Sequence, residues 1–166
     1  MILGNGDIAK ILTDHTDRIY FASGVSNSQC TDVLEFERER QLLMKQPELS
    51  HLIYFSTLSI YYADTPYTKH KRNMEVLVKD RFSVYTIVRL GNITWGENPH
   101  TIINSLRAKI KNGEPYQVKD EYRYLVDRGE FTHWIGMIPD FSTEMNITGS
   151  MKKIDKIVYD LIRETK

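Results

Sequence analysis

The 166 residues suit one domain, enough for a single core and short for a two-domain enzyme. Lys and Arg number 22 and Asp and Glu 22, so no global field draws the chain to nucleic acid or to an anionic membrane. Cys30 is the only cysteine, which excludes an internal disulfide and a thiolate metal cluster, and the five histidines lack paired spacing, so no metal is expected.

No apolar run approaches membrane-spanning length, and the opening "MILGNGDIAK" is not a charged leader before an apolar stretch, so a soluble, cytoplasmic protein is expected. Short β-type runs alternate with helical ones, without repeats, which predicts an α/β fold with a parallel sheet. In chain order the pattern gives a strand over 1–3, a helix over 7–13, a strand over 18–22 ("RIYFA") and a helix over 32–45. A strand over 52–56 ("LIYFS"), a helix over 66–79, a strand over 84–90 ("VYTIVRL") and a helix over 101–112 follow. All strands but the first are apolar enough to be buried on both faces. The stretch 116–146 reads as short strands around a small helix near Trp134. A last helix over 151–163 carries Met151, Ile154, Ile157, Val158, Leu161 and Ile162 on one stripe, with Ser150 placed to cap it.

Three stretches carry candidate chemistry. "ILGNGDIA" places Gly4, Gly6 and Ala9 between strand and helix, where glycines let the backbone turn tightly and approach a pyrophosphate at the helix N-terminus. A plain glycine turn fits the same residues. The acidic residue expected some 20 positions later, at the end of a second strand, to hold an adenine ribose has no counterpart here. Further on, "FSTLSIYYADTPYTKHK" contains Tyr67 and Lys71, four apart. Thr65 is a good N-cap and Pro66 a good first helical residue, so both side chains should share one helix face, one turn apart. A phenol with an ordinary pKa near 10 needs about 4 kcal/mol of help to ionise near neutrality, which a lysine, a helix dipole and a cationic ring can provide together. Without its flanks the pair reads equally as an exposed aromatic and a solvated lysine. The flanks add Ser56 and Thr57 at the C-terminal end of a strand, where parallel sheets bind ligands.

In this order the residues resemble the extended short-chain dehydrogenase/reductases, the family of nucleotide-sugar epimerases, dehydratases and reductases. "ILGNGDIA" is similar to the family's glycine-rich turn, with Leu3 where its first glycine usually falls. "IYFASG" is similar to the fourth strand, with Ala22 and Ser23 lining the cofactor. "FSTLSIYY" resembles the strand bearing the catalytic Ser/Thr, which lands on Thr57, and "YTKHK" supplies Tyr-x-x-x-Lys. "VRLGNITWGEN" resembles the stretch that contacts a nucleotide-sugar diphosphate, at Asn92, and "YRYLVD" more loosely the segment with a nucleotide-contacting arginine, Arg123. The family's second and third strands have no counterpart between Thr13 and Arg18.

The resemblance implies a single Rossmann-like NAD(P)-binding domain over 1–166, its sheet reduced and its substrate-binding portion cut short. It implies NAD or NADP as cofactor, a nucleotide sugar as substrate, and Thr57, Tyr67 and Lys71 as the catalytic set. Gly4, Gly6, Ala9, Ala22, Ser23 and Lys71 would bind the cofactor, and Asn92 and Arg123 the substrate. A sheet whose order never reverses has no switch-point crevice. Its barer face should be closed by a partner in a homodimer or by C-terminal elements. The alternatives are a catalytically silent nucleotide-binding protein of this fold and an interaction subunit.

Overall fold

The computed structural model describes residues 1–118 and 120–164. In chain order the elements are β1 (Ile2–Leu3), β2 (Arg18–Phe21), α1 (Val33–Met44), β3 (His51–Thr57), α2 (Pro66–Arg81), β4 (Tyr85–Leu90), β5 (Asn92–Ile93), α3 (Ile102–Asn112), β6 (Tyr122–Val126), α4 (Arg128–Gly136), β7 (Thr143–Ile147), β8 (Ser150–Lys153) and α5 (Ile154–Glu164). Five strands form a parallel sheet in the order β1-β2-β3-β4-β7, and a smaller sheet runs β5-β6-β8. This is the Rossmann-like α/β class expected, in its reduced form: each strand of the large sheet is laid outside the one before it, and β1 is an edge.

The apolar runs explain the layers. β3 is buried at every residue but Thr57, as a strand covered on both faces must be. One face carries Ile19, Phe21, Leu52, Tyr54 and Ile87 against α1 and α2, through Leu43, Met74 and Val78. The opposite face carries Tyr20, Ile53, Phe55, Val88, Leu90 and Ile147 against Phe131 and Ile135 of α4, with Ile8, Ile11 and Trp95 at the margin. Of the two covers expected for the barer face, the C-terminal one is present within the chain. The small sheet packs with α3 and α5 around Ile103, Leu106, Leu125, Ile154, Val158 and Leu161.

Side chains set the helix starts. Asp32 caps α1 by accepting from the Leu34 amide at 2.8 Å. Thr65 caps α2 in a reciprocal box with Thr68, and Pro66 opens the helix. Thr101 caps α3, and Gly113 ends it in the left-handed conformation at φ 66°.

Two elements depart from the sequence pattern. The expected helix over 7–13 is a single 3-10 turn, Ala9–Ile11. Asp7, the residue placed to start that helix, spends its carboxylate on the distant amides of Glu97 and Asn98, at 3.1 and 2.9 Å. Without a cap, a run this short gains too few internal hydrogen bonds to propagate. At the other end the helix expected from Met151 begins at Ile154. Ser150 and Met151 pair with Leu125 and Tyr124 of β6, so Ser150 is a strand residue, not a cap, and Met151 is exposed. The Ile154 amide donates instead to the Glu121 carbonyl, at 3.0 Å.

Candidate functional site

The C-terminal ends of β1 to β4 open on one cleft of about 640 Å³. Its walls include Gly6 after β1, Ala22 and Ser23 after β2, Thr57 at the end of β3, Tyr67 and Lys71 on α2, Asn92 on β5 and Arg123 on β6. Eight of the ten residues to which the resemblance assigns a role thus converge on one cavity. Gly4 and Ala9 do not line it. Gly4 stands at φ +127°, and a Cβ there would lie 2.3 Å from the Ala22 carbonyl oxygen, so its small size serves the close approach of the chain just after β1 to the chain just after β2. Gly6 has open space where a Cβ would project, which leaves its backbone approachable from the cleft. Ala9 is buried in the 3-10 turn.

α2 carries Tyr67 and Lys71 on one face, as the spacing requires, with the Lys71 Nζ 5.9 Å from the Tyr67 ring centroid. Both are buried. Ser56 donates its hydroxyl to Glu75 at 2.6 Å, and Glu75 is in turn paired with Arg89. The Thr57 hydroxyl, which caps the turn at Ser59, lines the cleft at the end of β3.

The electrostatics of the pair differ from expectation. The Tyr67 phenol is not lowered but pushed up, by burial first and by the charge of Glu39 second, while the Thr57 hydroxyl as hydrogen-bond partner works the other way. Lys71 does not offset this, because its ammonium is paired with Glu39 at 3.0 Å. Glu39 has no exposed surface. Burial pushes its carboxyl up, but Lys71, with hydrogen bonds from His70, Tyr54 and the Val25 amide, outweighs burial and holds it well below the usual carboxylate range. The Tyr54 hydroxyl donates to Glu39 at 2.6 Å and accepts from Lys71 at 3.1 Å.

Glu39 is the site residue the sequence pattern hides. It sits in the charged run "EFERERQ", which reads as a solvated face. The available signal is its place in the helical repeat: Phe36, Glu39 and Leu43 share a stripe, and Leu43 is fully buried.

At the far wall, Asn92 donates to the Tyr124 carbonyl at 3.1 Å, and Arg123 is paired with Glu121 at 2.6 Å. The loop after β5 is drawn over the glycine turn by Asp7, and Asn98 reaches Ser26 at 3.1 Å. Gly96, at φ +87°, admits that contact, since a Cβ there would lie 2.1 Å from the Asp7 carboxyl carbon.

No protein-family model and no curated protein matches the sequence. Solved structures do match the fold. The chain is similar to the Bordetella bronchiseptica enzyme WbmG in complex with NAD and UDP, with a TM-score of 0.68 and 14% identity over 89% of this chain and 56% of that one. It is similar to UDP-glucuronic acid 4-epimerase from Bacillus cereus, in complex with UDP-glucuronic acid and NAD, with a TM-score of 0.68 and 15% identity over 90% and 59%. A third is UDP-N-acetylglucosamine 4-epimerase from Methanobrevibacter ruminantium, with a TM-score of 0.62 and 18% identity over 93% and 62%. The fold is therefore the Rossmann-like α/β fold that these structures share. The chain spans a little over half the length of the structures it matches.

Among the described residues no helix is long and apolar enough to cross a membrane, and no group of His, Cys, Asp or Glu is placed to hold a metal ion.

Proposed function

We propose that the cleft is a nucleotide-sugar site of the epimerase, dehydratase or reductase kind, working with NAD or NADP through Thr57, Tyr67 and Lys71. One observation carries this reading: Thr57, Tyr67, Lys71, Asn92 and Arg123, drawn from four separate elements, meet around a single cavity at the C-terminal strand ends. Ligands of parallel sheets bind at that end.

The residues present fit the nicotinamide nucleoside end of a dinucleotide. Ala22 and Ser23 are small enough for close approach, and Lys71, which donates to Glu39 and Tyr54, also lines the cleft. Gly6 suits the approach of a pyrophosphate. A bound nicotinamide would supply the hydride acceptor and donor.

The chain's own residues handle the proton. Tyr67, whose burial favours the neutral phenol, serves as the hydrogen-bond and proton donor to a sugar oxygen, with Thr57 orienting that oxygen. Ionisation of the phenol in the reverse direction requires added positive charge in the cleft, because Glu39 already neutralises Lys71. Asn92 and Arg123 stand at the opposite wall for the diphosphate.

A second reading is favoured by one feature. The glycine turn leads into a single 3-10 turn at the sheet edge, without an α-helix N-terminus to face a pyrophosphate. It makes the chain a nucleotide-sugar-binding protein of the same fold without turnover. Titration calorimetry on the purified chain with NADH, NADPH, UDP and UDP-sugars separates the two. Binding of a dinucleotide together with a nucleotide sugar supports the first reading. Binding of the nucleotide sugar alone supports the second, and binding of neither removes both.

A further inference from the structure

A buried ion pair is a poor way to gain stability, since well-packed apolar residues of the same volume often do as well or better. The Glu39–Lys71 pair is nevertheless completed at every oxygen of the carboxylate. One oxygen accepts from Tyr54 at 2.6 Å and from Lys71 at 3.0 Å, the other from the Val25 amide at 2.7 Å and from His70 at 2.9 Å. Four donors on one carboxylate hold it in a single orientation. The cluster also reaches the cleft at two points. Val25 belongs to the loop after β2 that lines the cleft, so Glu39 ties that loop to α1. Gly24, next to it, lies over the pair, and a Cβ there would stand 2.8 Å from both the Glu39 oxygen and the Lys71 nitrogen. Its backbone closes down where any side chain would collide with the charges.

The lysine that results is not a free cation. Its charge is met by Glu39, two of its three donors are spent, and its Nζ is held by Glu39 and the Tyr54 hydroxyl. A point charge of that kind has little to offer a phosphate, whereas one directed N–H on a neutral pair suits an uncharged hydroxyl. We infer that Glu39 and Tyr54 are positioning residues for Lys71, fixing it as a hydrogen-bond donor to the ribose hydroxyls of a dinucleotide. The inference rests on the proposed dinucleotide site.

The test compares NADH and UDP affinities by titration calorimetry for the parent chain, Glu39→Gln and Tyr54→Phe. Glu39→Gln should weaken NADH binding more than tenfold and Tyr54→Phe about threefold to tenfold, the loss expected when hydrogen bonds to a charged group are removed. UDP affinity should stay within about twofold in both. In a Lys71→Met background, Glu39→Gln should cost NADH binding nothing more, because it acts through the lysine. Tyr54→Phe keeps the ion pair, so it carries the test alone where Glu39→Gln does not fold. A Tyr54→Phe chain that binds NADH as tightly as the parent overturns the inference, as does an equal loss for NADH and UDP, which signals general loosening. A parent chain that binds no NADH overturns the dinucleotide reading itself, and this inference with it.

Discussion

The two ends of the cleft are built by different means. Along β3 and α2 several polar side chains are tied to neighbours: Thr57 to the turn at Ser59, Ser56 to Glu75, and Lys71 to Glu39 and Tyr54. At β1 the turn is two strand residues, two glycines and one 3-10 turn, anchored by the reach of Asp7 to the loop after β5. The first end is positioned before any ligand arrives, which favours chemistry. The second is a sheet edge held by the contacts of Asp7 with the loop after β5. A fold can therefore fix one end of a cleft through side-chain ties while leaving the other to a short edge turn.

The largest effect should come from the preorganised end. Tyr67→Phe should lower any turnover about 10²- to 10⁴-fold, the usual contribution of a positioned proton donor. Steady-state assay of the turned-over sugar nucleotide measures it, and unchanged turnover would leave the phenol without its role. Next comes the ion pair. Lys71→Met leaves Glu39 charged and unpaired in the interior and should cost about 3–5 kcal/mol in denaturant unfolding. Adding Glu39→Leu should recover most of that loss.

The same pair sets an acid limit. Glu39 titrates below its ordinary 4.5 in the folded chain, so its contribution is complete above that value and drains away as the pH falls through the lower folded one. The unfolding midpoint of the parent should drop more steeply below pH 4.5 than that of Lys71→Met. At the edge the effects should be smaller and split. Gly4→Ala, strained at φ +127° and crowded by the Ala22 carbonyl, should cost about 1–3 kcal/mol. Gly6→Ala should change thermal stability by no more than about 0.5 kcal/mol, with NADH affinity the quantity that moves.

What the sequence discloses and what it hides follow the same division. β2, β3 and β4 are legible because strands buried on both faces must be near-continuous apolar runs, and α2 because Thr65, Pro66 and Thr68 are local signals acting over four residues. The truncated first helix is not legible, since its cause is the pull of residues 97 and 98 on Asp7 from the other end of the chain. β8 is missed because Met151 and its neighbours fit a helical stripe until β6 offers them a backbone ladder. Glu39 is missed because a charge in a charged helix looks solvated until Tyr54, His70 and Lys71 are seen to surround it. That Thr57, Tyr67 and Lys71 share one cleft is legible from their order and flanks, whereas the electrostatics around them depend on Glu39 from another helix.

The strand order has one more consequence, for the way the chain comes together during synthesis. Ile2 waits for Tyr20, Arg18 for His51, Leu52 for Tyr85 and Thr86 for Thr143. Each new strand finds its neighbour already made and never has to slip between two earlier ones. Such a sheet can grow outward from the ribosome in a single direction, strand upon strand, with only its newest margin left unpaired at each step.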